Sequence, residues 1–62
     1  MMTPEQFKTA RQTLGLSQSK MAEALRLSGS RSIRHYEAGH RSISGPITKL
    51  IELFLDDPDL MD

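Results

Sequence analysis

Residues 14–39 read LGLSQSKMAEALRLSGSRSIRHYEAG, and this stretch decides the fold because it holds two short helical patterns with a turn between them. Ser17 is a favourable N-cap for the first pattern. Apolar side chains then recur on one face of the predicted helix, at Met21, Ala22 and Leu25. The small side chain of Ala22 lets a second helix cross closely at this point.

The second pattern begins after a Ser-Gly-Ser turn at residues 28–30, which favours a chain reversal and a helix N-cap. Ile33 and Tyr36 share one face of the following helix, which is predicted to end at Gly39. Burial of these two side chains turns a polar and basic set outward: Ser30, Arg31, Arg34 and His35. An exposed helix of this size fits a DNA major groove, which is about 12 Å wide.

Two further helices are predicted outside this stretch. Thr3, Pro4 and Gln6 form the start of the first, as N-cap, first helical residue and capping-box partner. This helix is predicted to end near Gly15. The last helix is predicted to begin at Pro46, and its core stripe comprises Ile47, Leu50, Ile51 and Phe54. Ile43, in the loop before it, is predicted to fold inward. The sequence therefore predicts an all-α domain.

Charge is distributed unevenly along this chain of 62 residues, although its formal net charge is zero. Residues 1–50 carry all eight basic residues against three acidic ones, whereas residues 51–62 carry five acidic residues and no basic one. We therefore predict a domain over residues 1–56 and a short, frayed acidic tail over residues 57–62. A basic body is typical of proteins with a polyanionic partner.

Composition excludes several classes of protein. The chain contains no cysteine, which excludes disulfides and thiolate metal sites. No stretch approaches the roughly 20 apolar residues of a membrane span, and no signal peptide is visible. These features predict a cytoplasmic protein without a metal or other cofactor. A core of this size rarely supplies more than about 3–5 kcal/mol, so dimerisation is the common remaining support.

The order of these residues resembles the Cro/CI-type (Xre-like) helix-turn-helix family of bacterial and phage regulators. The matching residues are Leu16-Ser17-Gln18, Ala22, Leu25, Ser28, Ile33, Tyr36, Glu37 and Gly39. The resemblance covers about residues 5–56 and implies a compact, lambda-repressor-like domain of four to five helices that binds double-stranded DNA. Two departures are visible: residues 28–32 are one residue longer than usual, and Arg26 replaces a frequent glycine.

The basic side chains and the resemblance together predict the DNA contacts. Predicted base contacts are Ser30, Arg31, Arg34 and His35, since arginine can bind a guanine edge through two hydrogen bonds. Predicted phosphate contacts are Ser17, Gln18, Lys20, Ser32, Arg41 and Ser42. Arg11 is a further candidate for a phosphate contact. The alternative for each is a solvated surface side chain or, for the serines, a helix cap.

The last helix carries a second apolar feature. Leu53 falls away from the core stripe on a helical wheel, and Leu55 flanks that stripe. We predict that Leu53, Leu55 and Leu60 form the interface of a two-fold homodimer. Such a dimer would place two recognition helices roughly 34 Å apart on an inverted repeat.

The sequence favours three classes of function unequally. The leading prediction is a sequence-specific transcriptional regulator, a dimeric repressor or autorepressor of a phage or mobile-element operon, anti-CRISPR-associated or antitoxin-like. The alternative is a protein-interaction module of the same fold that does not read DNA. An enzyme is disfavoured, because Asp56, Asp57 and Asp59 lie in the predicted tail and catalytic carboxylates need a shaped, water-poor site.

Overall fold

The computed structural model describes residues 2–61 and contains four α-helices and one 3₁₀ helix within that range. The helices are α1 (Pro4–Thr13), α2 (Gln18–Ala24), α3 (Ser30–Ala38), α4 (Gly45–Asp56) and a 3₁₀ helix (Pro58–Met61). The predicted all-α helix-turn-helix architecture is therefore confirmed. None of these helices is long and apolar enough to cross a membrane.

Side-chain hydrogen bonds define the starts of α1 and α2. The Thr3 hydroxyl accepts from the Gln6 backbone N–H at 3.1 Å, and the Gln6 carboxamide oxygen accepts from the Thr3 N–H at 2.9 Å. This confirms the capping box. The Ser17 hydroxyl accepts from the Lys20 N–H at 3.1 Å and caps α2 in the same way. Each such cap stabilises its helix by about 1 kcal/mol.

The helix α3 begins within the predicted Ser-Gly-Ser turn and ends where the sequence predicts. Gly29 occupies the N-cap in an extended conformation and has no side chain to accept a hydrogen bond, so the turn serines do not cap this helix. Gly39 ends α3 in the left-handed conformation, with φ of 79°. Ser44 caps α4, which begins at Gly45, one residue before the predicted Pro46.

The hydrophobic core joins all four α-helices. Each of them contributes one fully buried side chain to this core: Phe7, Met21, Ile33 and Ile51. Burying a side chain of this size contributes about 1.5–3 kcal/mol. The Phe7 ring packs against Tyr36 with centroids 5.3 Å apart. Ile43 is buried in the loop before α4, as the sequence predicts.

The C-terminal segment is structured where the sequence predicts a frayed end. At the start of the 3₁₀ helix, the Asp57 carboxylate accepts from the Asp59 N–H at 3.2 Å. Met61 is half-buried and packs against the core. This apolar contact holds the 3₁₀ helix against the rest of the domain. Asp62, the last residue of the predicted acidic tail, lies outside the described residues.

Candidate nucleic-acid interface

The helices α2 and α3 form the structural unit that the candidate interface is built on, and they pack more extensively than any other helix pair. Ala22 and Leu25 of α2 lie in the same buried cluster as Ile33 and Tyr36 of α3. These four side chains hold α3 in place from one side. Its opposite side is free to present polar and basic groups to a ligand.

The outward face of α3 carries two cations one helical turn apart. Arg31 and Arg34 are both exposed, while His35 is half-exposed beside them. Together with Ala38 and His40, these side chains line a shallow depression of about 220 Å³. The His35 and His40 rings meet edge to face with centroids 5.8 Å apart.

Ala38 lines this depression as well, although the sequence did not predict it as a site residue. Its position four residues after Arg34 and seven after Arg31 places it on the same helix face, and this spacing is the signal that could have found it. Ser30, at the first position of α3, is half-buried and does not line the depression.

Three predicted phosphate contacts lie at the start of α2. The Ser17 hydroxyl is engaged as the helix cap described above. Gln18 Nε2 donates to Glu37 Oε1 at 3.4 Å, which links the start of α2 to α3. Lys20 Nζ lies 3.5 Å from a Glu23 carboxylate oxygen, and both side chains are about 70% exposed. Such a surface pair holds its partners only weakly, so Lys20 remains available to a phosphate.

The other predicted phosphate contacts lie on α3 and in the loop after it. Ser32 is half-buried within α3. Arg41 and Ser42 are exposed, and they line a second depression beside the start of α1, which Thr3 and Pro4 also line. The residues predicted to contact DNA are thus spread over α2, α3 and this loop.

Arg11 forms contacts within the domain and does not face outward as a phosphate contact would. Its Nε donates to Glu37 Oε2 at 2.7 Å, and its Nη1 donates to the Leu16 carbonyl at 2.9 Å. The Arg11 and Glu37 side chains are only 14% and 10% exposed. The guanidinium therefore joins α1 to α3 instead of facing solvent. Glu37, noted before only as a matching residue, accepts from both Arg11 and Gln18.

Comparison with known protein families agrees with this geometry. A family model described as helix-turn-helix matches residues 7–59, most of the chain. The chain belongs to the Cro/CI-type helix-turn-helix family. No curated protein and no solved structure gives a significant match. Cro/CI-type proteins are DNA-binding transcription regulators, and this chain carries the domain that performs that role.

Both departures from the Cro/CI-type pattern are accommodated in the turn between α2 and α3. Arg26, which replaces a frequent glycine, has φ of 60° and thus adopts the left-handed conformation that glycine favours. The longer stretch at residues 28–32 places Gly29 as an extended residue directly before α3. The family's helix pair is therefore kept, while the turn that joins it is lengthened and strained.

Proposed function

We propose that the protein is a sequence-specific repressor or autorepressor that binds an inverted repeat in double-stranded DNA as a homodimer. The observation that carries this proposal is the outward face of α3, where the exposed side chains of Arg31 and Arg34 line the shallow depression. Membership of the Cro/CI-type family supports the DNA-binding part. An operon of a phage or mobile element, anti-CRISPR-associated or antitoxin-like, is the proposed target.

Base readout is assigned to the exposed side chains of α3. Arg31 and Arg34 each present a planar fork of donors that matches the two acceptors on the major-groove edge of guanine. Such a contact discriminates against a wrong base by about 1–3 kcal/mol. His35 lies beside both arginines, and its contact with the His40 ring restricts where its imidazole points. Ser30 is proposed to reach a base from the first position of α3.

Phosphate contacts are assigned to the residues that surround α3. Gln18 Nε2 carries two hydrogens, and its bond to Glu37 uses only one of them. The second hydrogen can be donated to a phosphate. Lys20 and Arg41 supply charge, and three serines complete the proposed set: Ser17, Ser32 and Ser42. These contacts orient the domain on the duplex without reading its sequence.

Dimerisation is assigned to the C-terminal part of the chain. Three large apolar side chains are exposed there, and they are the candidates for the contact: Leu53, Leu55 and Leu60. A small single core leaves only a few kcal/mol of stability, and association with a second copy adds to it. A two-fold dimer would match the symmetry of an inverted repeat.

The test is a DNA selection repeated at rising salt. Purified protein is bound to a random duplex pool, and the surviving duplexes are sequenced at each salt concentration. Backbone-driven binding weakens steeply with salt, while a specific site outlasts the rest of the pool. We expect an inverted repeat to be recovered. The variant R31A/R34A should recover none, while the matched control Lys49→Ala, on an exposed lysine of α4, should recover the same repeat.

Absence of enrichment with the unchanged protein would contradict the proposal. The protein-interaction module of the same fold would then be the better account. Enrichment of a single, unpaired half-site would contradict the dimeric part alone.

A further inference from the structure

The end of α3 places two histidines side by side. The His40 N–H donates to the His35 carbonyl at 2.9 Å. The Gly39 N–H donates to the Tyr36 carbonyl at 3.2 Å. These two bonds form a Schellman motif, in which the left-handed Gly39 turns the chain back across the last turn of the helix. The rings of His35 and His40 consequently meet edge to face, and we refer to them as the histidine pair.

The histidine pair occupies positions of the Schellman motif where an apolar contact is common. Histidine differs from an apolar side chain because its charge changes between about pH 5 and pH 8. The chain contains no histidine besides His35 and His40, so this pair accounts for all of its imidazole groups. The last turn of α3 can therefore gain positive charge as the pH falls, while backbone hydrogen bonds hold the two rings together.

The depression that contains the histidine pair is otherwise basic. Arg31 and Arg34 line it together with the two imidazoles, and none of the acidic residues that the structure describes does so. Arg41, which follows His40, lines the separate depression beside the start of α1. The charged residues of the helices packed around α3 lie outside the lining: Glu5, Lys8 and Arg11 on α1, Lys20 and Glu23 on α2, and Lys49, Glu52 and Asp56 on α4.

Glu37 is the acidic residue of α3, and it is already engaged elsewhere. Residues two apart on an α-helix lie about 200° apart around its axis, so Glu37 faces away from His35. Its carboxylate accepts from Arg11 Nε at 2.7 Å, and its side chain is only 10% exposed. The negative charge that would balance a protonated histidine pair therefore has to come from a ligand.

We propose that the histidine pair binds protons when the outward face of α3 binds DNA, so that DNA binding strengthens as the pH falls. This inference rests on the proposed function and adds a regulation to its site. A duplex contacted by Arg31 and Arg34 brings backbone phosphates close to the depression that they line. A negative charge beside an imidazole favours its protonated form. The complex then holds more protons than the free protein, and by linkage a lower pH favours the complex.

The test is the affinity for DNA, measured by fluorescence anisotropy from about pH 8 to about pH 5.5. The probes are the duplex recovered by selection and a duplex of mixed sequence. The association constant should rise at least about tenfold over this range, which corresponds to uptake of about one proton. The salt slope should steepen by about 0.9 for each histidine that gains a phosphate contact. The variant H35Q/H40Q, which has no imidazole, should lose both effects, and H35Q and H40Q should each lose part of them.

Two further variants and a direct titration serve as controls. His40→Arg carries a positive charge at every pH, so it should bind tightly at about pH 8 and lose the part of the pH dependence that H40Q loses. Lys49→Ala, on α4, should keep the full pH dependence. Imidazole resonances of the full chain, titrated by NMR with and without the mixed-sequence duplex, should show that DNA makes both rings protonate at a higher pH. Circular dichroism checks that each variant is folded.

The outcomes separate this inference from the proposed function. Equal pH dependence in the unchanged protein and in H35Q/H40Q would overturn the inference, and so would imidazole titrations that DNA does not shift. Salt-sensitive DNA binding that does not change with pH would overturn the inference and leave the repressor function standing. If neither duplex binds at any pH, the proposed function fails and this inference fails with it.

Discussion

Arg11 on α1 and Glu37 on α3 form a salt bridge of 2.7 Å between Nε and Oε2, although 26 residues separate them in the chain. Glu37 also accepts a hydrogen bond from Gln18, while Arg11 donates to the Leu16 carbonyl. A single carboxylate thus connects α1, the start of α2 and the end of α3. The network therefore ties the helix that carries Arg34 to both α1 and α2.

Loss of either partner of the salt bridge should destabilise the domain. Arg11→Ala or Glu37→Ala leaves a mostly buried charge without its partner, at a cost of roughly 3 kcal/mol. The double variant R11A/E37A should lose less than the sum of the two, with a coupling of about 1–3 kcal/mol. Urea unfolding at low temperature measures all three. Additive effects would show that the two side chains do not act together.

Arg26→Gly should stabilise the fold. Glycine removes the left-handed strain of about 1–2 kcal/mol but gains freedom in the unfolded chain, so the net increase is about 0.5–1 kcal/mol. Thermal unfolding, measured at a concentration where the protein is monomeric, should show a higher Tm. Arg26→Ala is the control: it removes the same charge but keeps the β-carbon, so it should bring no such gain.

Gly39→Ala should cost about 1–2 kcal/mol, because Gly39 has φ of 79° at the end of α3. An added β-carbon would lie 3.7 Å from Pro4 Cγ, which is ordinary contact, so the cost is conformational and not steric. Gly39→Asn should therefore lose less stability than Gly39→Ala. Gly45→Ala, where an added β-carbon meets open space, is the control and should leave Tm nearly unchanged.

Thr48→Val should raise the stability of the domain by about 1 kcal/mol. The Thr48 hydroxyl is buried. Within the described residues, no protein group accepts a hydrogen bond from it or donates one to it. Valine has the same shape without the polar group, so it removes the desolvation penalty. Thr9→Val, at an exposed residue of α1 that lines the same surface depression as Thr48, should change Tm little. A lower Tm for Thr48→Val alone would indicate that the hydroxyl has found a partner.

Arg34→Ala and Arg41→Ala should weaken DNA binding in different ways. If Arg34 reads a base, its loss costs about 1–3 kcal/mol and relaxes the preference at one position of the selected site. If Arg41 contacts a phosphate, its loss weakens binding to all sequences and lowers the salt slope by about one. Fluorescence anisotropy with single-base variants over a salt series separates the two. Unchanged base preference in Arg34→Ala would reassign that residue to the backbone.

The sequence predicted the features that depend on neighbouring residues. Thr3 and Gln6 form the predicted capping box, and Gly39 ends α3 as predicted, because both involve groups within one helical turn. The helix-turn-helix arrangement followed from the resemblance of residues 14–39 to the Cro/CI-type family, and the predicted inward position of Ile43 is also confirmed. The N-cap of α3 lies in the predicted turn at residues 28–30, but it is Gly29, and no serine side chain caps the helix.

Features that join distant parts of the chain were decided by the tertiary structure. Composition and spacing could not reveal that Arg11 is bound by Glu37, because periodicity reports which face a residue occupies and not which helix packs there. The same holds for Met61, which packs on the core. The sequence by itself determined the helices, the core face of each and the family. Only the packing of those helices decided which basic groups face outward. The burial of a side chain depends on how the helices pack against one another and not on any one helix alone.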